Sequence, residues 1–143
     1  MAKWWDKTIT LYNKYEDPDS GKINWFRFVL TDCFVKRINK KVTVNDVLLQ
    51  TKETVVRVPE NEAYIPPYEW AQIEDKSERF TLQSGDLIVF GEVDDVIDEY
   101  TSGKRSSDFI SRHNRMGGCV TIQAFNINTM SGIGLPHYHI KGE

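Results

Sequence analysis

Apolar positions cluster most tightly between Phe80 and Glu92, in the stretch FTLQSGDLIVFGE. Phe80 and Leu82 lead into Ser84-Gly85-Asp86, residue types that favour a tight turn. Leu87-Ile88-Val89-Phe90 then makes an apolar run too short for a helix, closed by Gly91. Such a run predicts a strand buried on both faces, or one that bends sharply at its end glycine. Both belong to a small closed or nearly closed barrel whose wall turns a corner at the glycine, with the rest of the chain wrapped around this strand.

Upstream, KTITLYNKY (Lys7 to Tyr15) sets Ile9, Leu11 and, less cleanly, Asn13 against Thr8, Thr10 and Tyr12, the alternation of a half-buried strand. Asp17-Pro18-Asp19-Ser20-Gly21 reads as a turn, because its glycine comes too early and no closing glutamate follows for a calcium loop. Lys22 to Ile38 is rich in aromatic and β-branched residues and predicts a long strand, with a break or bulge at Leu30-Thr31-Asp32. Trp25 and Phe34 read as core packing, since a base-stacking sheet needs a basic surface and only Arg27 lies near. Val42-Thr43-Val44, Val47-Leu48-Leu49 and Thr54 to Val58 predict a hairpin whose second arm ends at Pro59. The prolines of Ile65-Pro66-Pro67-Tyr68 make an irregular extended link, and Tyr68 to Gln72 allows one helical turn.

After Gly91 two periods compete. Val93, Val96, Ile97 and Tyr100 fit the apolar face of a helix, while their place directly after a strand fits an extended arm ending in a turn. Thr101 to Arg105 reads as a flexible joint. A short helix follows, with Ser106 or Ser107 as N-cap, Asp108 in the first turn, Arg112, His113 and Arg115 at the C-terminal end, and Gly117-Gly118 as a left-handed stop. Cys119 to Ile127 and His137 to Ile140 are two further strands. The expected fold is mainly β: a small barrel of six to seven strands with one short inserted helix, in a single domain over residues 1–143.

Composition adds little to this picture. The chain has 143 residues, 40% hydrophobic and 27% charged, with a formal net charge of −3. No apolar stretch is long enough to span a bilayer, no signal peptide is expected, and the acidic balance argues against a dedicated non-specific nucleic-acid binder. Cys33 and Cys119 are expected to be buried free thiols, as suits a reducing cytoplasm. His137 and His139 share a strand face, so with His113 or carboxylates they offer a metal reading. A surface strand is the plainer alternative. Asp94, Asp95, Asp98 and Glu99 read as a solvated acidic face. Nucleophile-elbow, dinucleotide-loop and Walker patterns are absent, so neither catalysis nor a cofactor is expected.

Four stretches carry a resemblance: WWDKTITLYNKYED, the tryptophan strand INWFRFVLTDCF, the block FTLQSGDLIVFGEVDDVIDEYTSGKRSSD, and HYHIKG near the end. Together they resemble a family of small proteins encoded among the head and head-to-tail genes of tailed bacteriophages and prophages of Gram-positive bacteria. The resemblance implies a head-completion or stopper protein: a β-barrel forming a ring, dodecameric in such proteins, between the portal-adaptor complex and the tail in the virion neck. It further implies synthesis in the host cytoplasm, no membrane partner, and an inward loop that helps retain packaged double-stranded DNA without reading its sequence. A tail terminator or minor capsid protein one layer away is the nearest alternative; a small metal-dependent enzyme or ligand-binding barrel is the rival of another class.

The family has no residue-level functional motif to carry over, so candidate sites come from the projecting segments. One is the basic loop Lys36, Arg37, Asn39, Lys40 and Lys41, in the Lys36 to Thr51 hairpin region, as a channel or interface loop. The other is the Asp94 to Gly118 insertion, with Lys104, Arg105, Asp108, Phe109 and Arg112 facing neighbouring subunits. A solvated connection is the plain alternative for both.

Overall fold

The computed structural model describes residues 6–74, 76, 78–114, 118–128 and 137–142, with the backbone alone described at 38–42, 44, 48–52, 114, 127, 128 and 137. Six strands, β1 (Lys7–Glu16), β2 (Ile23–Val44), β3 (Val47–Pro59), β4 (Leu87–Phe90), β5 (Cys119–Asn128) and β6 (His137–Gly142), close into an antiparallel barrel. Around the barrel they run β1-β2-β3-β6-β5-β4. Helix α1 (Pro67–Gln72) lies in the β3–β4 link and helix α2 (Ser106–Asn114) in the β4–β5 link. The sequence predicts one helix and allows a turn of a second, and both form.

Strand alternation sorts the apolar residues into two sets. Ile9 and Leu11 of β1, Leu30 and Cys33 of β2, Val56 and Val58 of β3, Ile88 of β4, Ile122 of β5, and Tyr138 and Ile140 of β6 form one buried cluster. Every strand contributes to it, so it is the barrel interior, and Phe80 and Leu82 from the β3–β4 link complete its filling. The second set lies on the outer wall, where Tyr12, Leu87, Val89 and Cys119 meet Ile97 and Phe109. Strand β4 is therefore buried on both faces, as its run of apolar residues predicts, and Gly91 ends it with φ +91°. The expectation of a half-buried β1 needs correction: Thr10 and Tyr12 are buried too, because the β4–β5 link covers their side of the wall.

The predicted break in β2 is a bulge. Ile9 pairs with Leu30 and Lys7 with Cys33, so β2 carries one extra residue there, and Asp32 adopts φ +57°. The extra residue reverses the alternation, so Leu30 and then Cys33 both face the core. Beyond it β2 and β3 form one long hairpin, closed by Asn45 and Asp46 at φ 51° and 63°, the positive-φ pair of a tight two-residue turn. Among the described residues, the pairing of β1 with β2 ends at Cys33 and that of β6 with β3 ends at Thr54. From 38–44 and 47–53 onward the two strands pair only with each other among the described residues, as a ribbon.

Candidate interaction surfaces

The ribbon comes first because the basic run lies at its root. Residues 36–41 are paired strand, Lys36 with Val55, Arg37 with Thr54, Asn39 with Lys52, Lys40 with Thr51 and Lys41 with Gln50. The expected basic loop is thus corrected to a β-ladder. Half of the backbone N–H and C=O groups that a loop would leave to water are satisfied across the hairpin. Lys36 and Arg37 are exposed, while the side chains of Asn39, Lys40 and Lys41 lie outside the described residues. At the root, Lys7, Thr8, Val35, Arg37, Phe90 and Gly91 line a groove of about 510 Å³, with the Arg37 guanidinium 4.8 Å from the Phe90 ring centroid.

The second surface is the arm that follows Gly91. Its expected helix does not form; residues 92–98 are extended and end in a turn, the competing reading. Three side chains of the wall fasten it. Thr10 Oγ1 donates to the Gly91 carbonyl at 2.7 Å and accepts from the Val93 N–H at 3.0 Å. Tyr12 donates its hydroxyl to the Asp95 carbonyl at 2.7 Å. Arg27 donates its Nε to the Val93 carbonyl, and its Nη2 lies 3.2 Å from Asp94 Oδ1. Burial pushes the Tyr12 hydroxyl up to about 12, so it stays a donor across the ordinary pH range.

The residues singled out in the insertion separate cleanly. Lys104 and Arg105 are exposed, but their segment is a hydrogen-bonded turn and not an open joint: Asp98 N–H donates to the Lys104 carbonyl at 2.7 Å, and Gly103 takes φ +84°. The Asp98 carboxylate accepts from Thr101 Oγ1 at 2.7 Å and the Tyr100 N–H at 2.9 Å, which holds its pKa below the usual range. Asp108 is exposed in the first turn of α2, where its charge suits the helix dipole. The helix start is satisfied by Glu99, which accepts from the Ser106 N–H at 2.5 Å, in place of an expected serine cap.

Phe109 contradicts its assignment to a neighbour-facing surface. It is fully buried, with its ring 4.8 Å from Tyr12 and 4.4 Å from His113. The reason lies in β1: a tyrosine on the outer face needs an apolar cover, and Phe109 is that cover. Arg112 is half-exposed, 3.7 Å from Asp95 Oδ2, an oxygen that also sits 2.9 Å from His113 Nε2. At the far end Gly118 donates to the His113 carbonyl at 3.0 Å without a positive φ, so it does not supply the left-handed stop; Gly117 lies outside the described residues.

The cysteines, the Asp17 turn and two aromatic residues take structural roles, and the side chain of His137 lies outside the described residues. Cys33 and Cys119 are buried free thiols, their pKa values pushed by burial to about 12 and about 11. Asp17 accepts from the Asp19 N–H at 2.9 Å within a turn closed by Gly21 at φ +72°. Trp25 packs half-buried against the outer cluster, and Phe34 sits under Arg57, whose Cζ is 5.2 Å from the ring centroid. Among the described residues no group of three His, Cys, Asp or Glu side chains is placed to hold a metal ion. No described helix is long and apolar enough to cross a membrane.

A buried carboxylate escaped the sequence reading. Asp86 is 1% exposed and accepts from Asn13 Nδ2 at 2.7 Å and from the Lys14 N–H at 3.0 Å. Asn13 also exchanges two bonds with Thr81, donating to its carbonyl at 2.7 Å and accepting from its N–H at 3.1 Å. Its amide thereby stands in for a missing strand partner. Burial pushes Asp86 up to about 6 against the opposing hydrogen bonds. The available signal was Asn13 at an inward position of β1, a polar residue that demands a partner.

No curated protein and no solved structure is detectably similar to the chain. Residues 4–143 match a family described as a family of unknown function, DUF6751. The chain therefore belongs to that family.

Proposed function

We propose that this protein is a non-enzymatic virion component of a tailed bacteriophage, a connector of the stopper type. In this reading it forms a ring between the portal-adaptor complex and the tail and helps retain packaged DNA. The observation that carries the reading is the ribbon: two strands continue past the barrel wall, over residues 38–44 and 47–53, and pair with no third described strand. At about 3.3 Å per residue this is a projection of roughly 20 Å, stiff enough to reach into a channel or across to a neighbour. A net charge of −3 suits a channel wall, because like charge keeps DNA moving and unbound. The resemblance to head-to-tail gene products, which extends along nearly the whole chain, supports the same role.

The direct test is mass spectrometry and electron microscopy of purified particles. The connector reading expects the protein in the neck, between head and tail; a position capping only the tail tube makes it a terminator, and absence from particles removes the reading. A ribbon shortened by deleting 39–42 together with 49–52 keeps the paired register, since Val42 faces Leu49 and Asn39 faces Lys52. That variant is expected to fold with stability changed by less than about 0.5 kcal/mol. Its heads should lose DNA or fail to join tails, and normal infectious particles would remove the ribbon from the mechanism.

A further inference from the structure

Asp86 is a buried carboxylate held only by neutral donors. Its oxygens accept from the Asn13 amide at 2.7 Å and from the Lys14 N–H at 3.0 Å. Gln83 Nε2 completes the set, 3.5 Å from Oδ1 and 3.4 Å from Oδ2, both longer than ordinary N–H···O bonds. No lysine or arginine among the described residues forms an ion pair with it. A carboxylate taken out of water is normally given a positive partner, and this one is not. It is also within reach of a ligand. Asp86 lines a groove of about 370 Å³ between the end of β1, helix α1 and the 83–86 turn, with Lys14, Tyr15, Trp70, Ala71 and Gln83 as further walls.

The position of the Gln83 amide shows what the groove is shaped to hold. Gln83 Nε2 also donates to the Lys14 carbonyl at 3.1 Å, so three oxygens converge on one nitrogen. An amide brings two hydrogens and no charge to those three acceptors, whereas a primary ammonium brings three hydrogens and the missing charge. Asn13 is buried and tied to Thr81, but Gln83 is half-buried on a turn, so it is the donor free to swing aside. The same corner already accommodates one ammonium. Lys76, 8% exposed, donates Nζ to the Ile73 carbonyl at 2.7 Å and lies 4.2 Å from the Tyr15 ring centroid and 5.7 Å from that of Trp70. It makes no pair with Asp86, and the other charged groups of the groove, Lys14 and Glu16, are exposed on β1 with opposite signs.

We propose that this groove binds a primary alkylammonium group, which displaces the Gln83 amide from Asp86 and the Lys14 carbonyl and lays its methylenes along the groove beside Tyr15 and Ala71. The ammonium is chemistry shared by a free amine and by a lysine side chain of a partner protein. The inference stands on Asp86 and its surroundings and does not depend on the connector reading. Binding and proton uptake compete at the same carboxylate. Burial raises Asp86 to about 6. A bound cation favours the ionised form, so affinity is full above that value and is lost as pH falls through it.

Calorimetric titration of the purified full chain with n-butylammonium chloride tests the site. At about pH 7.5 it should bind with a Kd of about 1–10 mM, the range open to so small a ligand. At about pH 5 affinity should fall about tenfold, because Asp86 is then about one-tenth ionised. Tetramethylammonium, which has charge but no N–H, should not bind, and this separates the carboxylate site from a purely aromatic one. Asp86→Asn should abolish binding. Gln83→Ala, which removes the competing donor and leaves the barrel wall intact, should tighten it about fivefold. A short blocked peptide with one central lysine distinguishes the sources: binding tighter than that of the free amine assigns the groove to a partner's side chain, and weaker binding assigns it to a small amine. Absence of n-butylammonium binding to both wild type and Gln83→Ala overturns the proposal. So does affinity that is equal at the two pH values, unchanged by Asp86→Asn, or matched by tetramethylammonium.

Discussion

The ribbon and the arm both leave the barrel, and they are held by opposite means. The ribbon is held by a continuous backbone ladder from Phe34 to Val47 and needs no wall behind it. The arm has no ladder; it is held by wall side chains and by the burial of Ile97 and Phe109 against Tyr12, Leu87 and Val89. A segment held by hydrogen bonds between its own backbone strands depends little on any one surface side chain. One held by side chains depends on a few particular residues. Most single substitutions should therefore be felt in the arm, and only backbone-level changes in the ribbon.

The largest effect that would expose this difference is Phe109→Ala. Removing a fully buried ring from the outer cluster should cost about 3–5 kcal/mol, read by denaturant unfolding. A cost below about 1 kcal/mol would mean that the insertion is not packed on the wall. Next comes the wall itself, through Asp86. Its folded pKa of about 6 lies above the value near 4 of an unfolded chain, so between those values the folded state holds the extra proton. Its contribution to stability should thus grow as pH falls from about 6 to about 4. Wild type should gain about 2–3 kcal/mol relative to Asp86→Asn between pH 7 and pH 4. Parallel stability curves for the two proteins would contradict the burial cost assigned to Asp86.

At the ribbon root, Gly142 pairs with Thr54 on one side and Ile122 on the other. A Cβ there would meet Val120 Cγ1 and lie 2.7 Å from the Thr121 carbonyl oxygen. Gly142→Ala should therefore cost about 1–3 kcal/mol, as overpacking against backbone does; thermal melting that matches wild type would show that the seam yields. Smallest is Tyr12→Phe, which removes one bond to the arm at Asp95 and should cost about 1 kcal/mol. Hydrogen exchange should quicken in the 91–98 segment and stay unchanged in the ribbon, which separates the two modes of attachment; equal quickening in both would merge them.

The sequence made the barrel legible wherever alternation meets a buried face. The turn at Ser84-Gly85, the strand Leu87–Phe90 and the bulge at Asp32 all follow from residue type and period. The arm was ambiguous for an arithmetical reason: Val93 and Ile97 are four apart, a spacing that fits both a helical face and alternate positions of a strand. The structure uses the second, leaving Val96 and Tyr100 exposed. The basic run reads as a loop because Lys36, Arg37, Lys40 and Lys41 interrupt the alternation, which resumes only at Val42 and Val44. Phe109 was misplaced because nothing local to it says that Tyr12, nearly a hundred positions earlier, needs a cover.

Because the ribbon strands are the barrel strands prolonged, a pull along the ribbon acts as shear on the β1–β2 and β3–β6 ladders. Antiparallel bonds lie across that direction and must yield together. A sideways pull on the arm would instead detach it one side-chain tether at a time. The molecule is mechanically anisotropic: it has one attachment suited to transmitting load and another suited to letting go.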